Sequence, residues 1–87
     1  MIKIRENFEI LRLAGINIVI DKTAAPKKPL FSLNETGLFI WNQLKKGTTL
    51  KMLVDMLQSE YDVKAEQAAE DIEEFLQSIS EKGILEE

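Results

Sequence analysis

Carboxylates are the main side chains in this sequence that could serve as general acid, general base or metal ligand near neutral pH. Histidine and cysteine are both absent. That removes the side chain whose ordinary titration falls near pH 7, and with it the commonest metal ligand and every thiolate, disulfide and iron–sulfur ligand. Zinc would be left with oxygen donors alone, an ill-suited tetrahedral set. A carboxylate pair can hydrolyse a substrate only inside a deep pocket. A chain of 87 residues seldom builds both such a pocket and a core. The expectation is a protein that is not itself an enzyme and holds no metal or cofactor.

The acids are densest near the end of the chain. Residues 64–82 carry Glu66, Glu70, Asp71, Glu73, Glu74 and Glu81 against Lys64 and Lys82, a net of −4 that equals the net charge of the whole protein. Calcium would need oxygen ligands converging about a glycine-containing turn, whereas helical periodicity sends these carboxylates in several directions. They read as a solvated face or as a surface complementary to a basic partner. The basic pairs Lys27-Lys28 and Lys45-Lys46 are too small for a phosphate footprint.

The elements that must position these groups follow from the apolar spacing. The length allows one domain, spanning 1–87, with a modest core. With 45% apolar and 30% charged residues the chain is ordinary for a globular protein. No apolar run approaches the ~20 residues that cross a bilayer. Charges interrupt residues 1–7, so no secretion signal is expected, and the expected location is the cytoplasm.

Residues 8–13 and 16–20 alternate as strands about an Ala14-Gly15 turn, the pattern of an antiparallel hairpin. A loop over 21–29 holds two prolines, and 30–33 is a third strand, suited to a sheet edge. Asn34 is a candidate N-cap, with Leu33 and Leu38 placed for a hydrophobic staple; Ser32 with Glu35 also fits a capping box. The first helix is expected over 35–46, burying Leu38, Ile40, Trp41 and Leu44, with Gly47 at its end. Thr48 or Thr49 caps the second, whose Leu50, Leu53, Val54, Leu57 and Tyr61 form one stripe. The third runs over 64–82 with Ala65, Ala68, Ile72, Phe75, Leu76 and Ile79 inward, until Gly83 stops it and Ile84 and Leu85 fold back. The fold class is α+β and winged-helix-like: three short antiparallel strands followed by three helices.

Such a fold raises the possibility of a third helix that reads DNA. The acidic balance of 64–82 opposes it, because non-specific affinity for DNA comes from Lys and Arg on phosphate. No nucleic-acid or membrane partner is expected.

Certain residues occur together in an order that points to a family. They are Leu33-Asn34-Glu35-Thr36-Gly37 with Ile40-Trp41, then Glu60-Tyr61-Asp62-Val63, then Ala68, Asp71-Ile72, Phe75-Leu76 and Gly83-Ile84-Leu85. In this combination the chain resembles the PQQ-synthesis protein D (PqqD) family over nearly its whole length. One departure is Lys64, where a Ser or Asp cap is expected before the third helix; Asp62 could cap instead.

The resemblance implies a RiPP recognition element, a domain that binds the leader segment of a ribosomally made precursor peptide. In that family the peptide adds as a strand to the third strand and lies beside the third helix. The member that names the family is a peptide chaperone for a radical S-adenosylmethionine enzyme in pyrroloquinoline quinone (PQQ) synthesis, and relatives serve other peptide-modifying systems. An exposed strand edge fits this role physically, since its unpaired amides and carbonyls can accept a guest chain. The expected peptide-binding residues are Leu30, Phe31, Ser32 and Leu33 on the strand, with Asp71, Phe75 and Ser78 on the helix. Phe31 and Leu33 should face the core, and Leu30 and Ser32 the other way. The alternatives are a winged-helix DNA-binding regulator and a subunit that docks on other proteins. A free edge could also pair with its own copy to give a homodimer.

Overall fold

The computed structural model describes residues 1–24 and 29–86. Its strands are β1 (Phe8–Leu13), β2 (Ile16–Asp21) and β3 (Pro29–Leu33); its helices are α1 (Glu35–Lys46), α2 (Leu50–Glu60) and α3 (Ala65–Glu81). The fold is therefore α+β, an open antiparallel sheet in the order β1-β2-β3 followed by three helices. The link expected over 21–29 is shorter than its composition suggested, because Asp21 closes β2 and Pro29 opens β3. Of that link, residues 25–28, including Lys27-Lys28, lie outside the described residues.

The hairpin turn explains its own geometry. Ala14 and Gly15 both adopt positive φ, 51° and 79°, as a two-residue turn of the kind that matches strand twist requires. Gly15 does so without strain, but Ala14 places a Cβ in the left-handed region, at a cost of about 1–2 kcal/mol. Ala14→Gly should accordingly raise stability by roughly 0.5–1 kcal/mol. The check is an upward shift of the urea midpoint at unchanged slope.

Period-two alternation gives the sheet two faces. Phe8, Val19 and Leu33 are buried against the helices, with Ile10 and Phe31 half-buried beside them. On the opposite face Leu11, Leu13 and Ile16 remain exposed. Asp21, at the end of β2, accepts from Thr23 Oγ1 at 2.7 Å, Thr23 N at 2.9 Å and Asn7 Nδ2 at 3.1 Å. The Thr23 hydroxyl, then Asn7, hold its carboxyl below the usual range.

The helices begin and end for local reasons. Asn34 Oδ1 accepts from Gly37 N at 2.8 Å and caps α1. Of the two threonines, Thr49 caps α2, its hydroxyl accepting from Met52 N at 3.2 Å. Thr48 is buried instead. α3 starts at Ala65 with Lys64 in the cap position and no side-chain cap bond, so Asp62 does not take that role. Ala65, expected in the apolar stripe, is exposed in the first turn, before the helix reaches the core.

Trp41 is 1% exposed, and Leu44, Leu53, Ala68, Ile72, Ile79 and Ile84 are fully buried around it. The first residues complete this core. Ile2 pairs with Thr48 (Ile2 N to Thr48 O, 2.6 Å), and Ile4 N donates to Leu44 O at 3.1 Å. Arg5 N donates to Ile84 O at 2.9 Å, and Glu86 N to Lys3 O at 2.8 Å. The N-terminal segment is thus stitched between the α1–α2 corner and the chain's last residues, and Ile4 is buried. None of the helices is long and apolar enough to cross a membrane among the described residues.

Candidate functional site

β3 is a sheet edge. It pairs with β2 on one side, and Pro29–Leu33 makes no backbone hydrogen bond to any part of the described chain outside the sheet. The turn determines which of its groups are free. In an antiparallel sheet, successive residues of a strand bond alternately to one neighbour and to the other. A two-residue turn makes its closing pair, Leu13 and Ile16, mutually bonded. Ile16 and Ile18 therefore bond towards β1, and Asn17 and Val19 towards β3. Their partners Leu33 and Phe31 are occupied by β2. Ser32, opposite Ile18, directs its N–H and C=O away from the sheet.

Across from this edge runs α3, and two adjoining cavities lie along it, the smaller between β3 and α3 and the larger between the start of α1 and α3. The smaller, about 190 Å³, is lined by Phe31, Ser32, Leu33, Phe75 and Ser78 together with Asn34 and Gly37. The larger, about 430 Å³, continues from Asn34, Gly37 and Phe75 to Thr36, Ile40, Asp71 and Glu74. The cavities meet where Gly37 faces Phe75. A Cβ at Gly37 would stand 3.2 Å from Asn34 Oδ1, 3.3 Å from Leu33 Cδ2 and 3.4 Å from Phe75 Cε1. Glycine there costs helix propensity, about 1 kcal/mol relative to alanine, and keeps the junction open.

The residues singled out by sequence sort as follows. Phe31, Ser32, Leu33, Phe75 and Ser78 share the smaller cavity, and Asp71 joins Phe75 in the larger. Leu30 lines neither and is 43% exposed, on the strand but outside the groove. Phe31 and Leu33 face inward, half-buried and buried respectively, while Leu30 and Ser32 are exposed. Asn34, Thr36, Gly37, Ile40 and Glu74 were not anticipated as lining residues. All but Glu74 belong to the segment that carries the family resemblance, and Gly37 is also an isolated glycine inside a helical run.

The groove is electrically uneven. Asp71 accepts from Gln67 Nε2 at 2.8 Å, and Glu74 is exposed; neither meets a cation within ion-pair distance among the described residues. At the other end Lys82 Nζ lies 5.3 Å from the Phe31 ring centroid, a cation–π distance. Phe31 in turn meets Trp41 edge to face, ring centroids 6.5 Å apart at 71°, so one wall of the groove rests on the core. The arrangement offers backbone bonds along one side, apolar contact at Phe31 and Phe75, and opposite charges at its two ends.

Comparison with known proteins bears on the fold and on the family. Two solved structures share the fold: TbiB1 in complex with the TbiA(beta) leader peptide, at a TM-score of 0.77 and 24% identity over 97% of this chain and 94% of that one, and lasso peptide synthetase B1 complexed with the leader peptide, also at 0.77, with 22% identity over 99% and 98%. No protein of curated function matches the chain. The family described as Coenzyme PQQ synthesis protein D matches residues 24–85, which takes in β3, all three helices and both walls of the groove. The chain belongs to the PqqD family.

Proposed function

We propose that the protein binds the leader segment of a ribosomally synthesised precursor peptide as a fourth strand on β3 and presents it to a peptide-modifying enzyme, taking no part in the chemistry itself. The observation that carries this reading is the edge of β3, where Ser32 offers an unpaired N–H and C=O beside a lined groove. Strand addition gives affinity through backbone bonds, and pockets for alternate side chains give selectivity. Both solved neighbours are complexes with leader peptides, which supports a peptide guest. The partner enzyme in this reading is a radical S-adenosylmethionine enzyme or another peptide-modifying enzyme. The absence of His and Cys supports a binding role over a catalytic one. Without a guest, the same edge is open to a second copy of the chain.

The acidic wall of α3 weighs against the DNA-binding alternative. A gel shift at low salt should show no retained complex, and binding that weakens steeply with added salt would favour the regulator instead. The direct test is an amide-shift titration with the leader of a precursor encoded beside this protein. Shifts should concentrate at residues 30–33 and 71–78. Shifts confined to α2 would put the peptide elsewhere.

A further inference from the structure

Charge along the groove specifies more than a generic guest. Asp71, Phe75, Ser78 and Lys82 recur at helical spacing along one stripe of α3 and its C-cap, with Glu74 beside Asp71 on the larger cavity. The stripe therefore begins acidic, passes the Phe75–Gly37 junction and ends at the Lys82 ammonium over Phe31. From Asp71 to Lys82 the helix rises about 16 Å, at about 1.5 Å per residue. Four steps of extended chain cover about 14 Å, and residues four apart in a strand face the same way. One guest strand can thus reach both charged ends with side chains on a single face.

We propose that the groove selects a guest segment of the form Lys/Arg-x-x-x-Asp/Glu, its basic residue on Asp71 and Glu74, an apolar residue midway over Phe75, and its acid beside Lys82. This deepens the reading of β3 as a docking edge and rests on it. The order of the charges follows from direction. β3 runs from the Lys82 end towards the Asp71 end, since Phe31 lies under Lys82 and Leu33-Asn34 leads into the cavity shared with Asp71. Every strand pair in this sheet is antiparallel, and antiparallel pairing is the more stable per residue. An antiparallel guest enters at the Asp71 end, so its basic residue precedes its acid. The long stems of Lys or Arg suit the site, because they can lie on the half-buried Phe75 while the charge reaches the rim.

The test uses the full chain and two capped peptides of one composition, Thr-Lys-Thr-Val-Thr-Glu-Thr and its charge-exchanged form Thr-Glu-Thr-Val-Thr-Lys-Thr, titrated at low salt with amide shifts as readout. The first should bind about tenfold more tightly, because exchange turns two weak exposed attractions into two repulsions. The preference should shrink to about twofold in the Asp71→Asn/Glu74→Gln/Lys82→Gln variant and fall with added salt. Equal affinity of both peptides, with shifts at 30–33, overturns the charge order and leaves the docking edge standing. A preference for the exchanged peptide overturns it equally. Absence of shifts at 30–33 with either peptide at millimolar concentration removes the docking edge, and the proposal with it.

Discussion

Proline at position 32 should weaken leader-peptide binding by about 10- to 100-fold while the domain stays folded. Ser32 is the position of β3 whose N–H points out of the sheet, by the alternation counted from the Leu13–Ile16 pair. Proline removes that donor and sets a ring where a guest carbonyl would approach. A lost hydrogen bond contributes about 0.5–1.5 kcal/mol, the steric term adds to it, and each 1.4 kcal/mol is tenfold in affinity. The fold should tolerate the change because edge positions accept proline where the N–H faces outward. Ser32→Ala, which keeps the amide, should bind as the parent does. Calorimetric titration of both variants, with far-UV circular dichroism as the folding control, separates the outcomes. Unchanged affinity in a folded Ser32→Pro protein would move the peptide off β3.

Trp41→Ala should cost about 3–5 kcal/mol of folding stability, the range for removing a large buried aromatic. Trp41 is 1% exposed and sits among Leu44, Leu53, Ile72 and Ile79. At roughly 0.05–0.15 kcal/mol per residue, a domain of this length has about 4–13 kcal/mol in total, so the variant should be partly unfolded at 37 °C. Urea unfolding followed by circular dichroism measures the loss; a change under 1 kcal/mol would contradict the packing described. Trp41→Phe should retain the fold at a smaller cost than Trp41→Ala, because a ring remains but leaves a cavity. The smaller ring supports Phe31 less fully, so the peptide complex should weaken as well.

Where one element's own periodicity or capping chemistry decided the structure, the sequence was a good guide. The β-branched alternation of 16–20, the Ala14-Gly15 turn, the Asn34 cap and the Leu50–Leu53–Val54–Leu57 stripe each depend on near neighbours, and each stands where expected. Features made by distant segments were not legible. Ile2 and Ile4 are held by isolated bridges to Thr48 and Leu85, and a single bridge leaves no periodic trace. Thr36 and Glu74 come together only because the start of α1 faces the middle of α3. Ala65 fits the helical stripe but misses the core, since periodicity assigns a face and not the distance along the helix at which a neighbour begins. Of the candidate site, strand and helix walls were readable from the apolar pattern and the resemblance. The floor at Gly37, the place of Glu74 beside Asp71 and the Lys82 end needed the fold.

The stitching of the first residues to the last also bears on how the chain reaches its native state. Arg5 and Ile84 lie near opposite ends of the described residues, and closing a loop of that size costs about 4 kcal/mol of chain entropy. The hairpin and the α2–α3 pair close far smaller loops and should form first. On the ribosome, Ile4 has no finished seat until Ile84 has left the exit tunnel, so a nascent chain stalled before that point should carry an incompletely closed core.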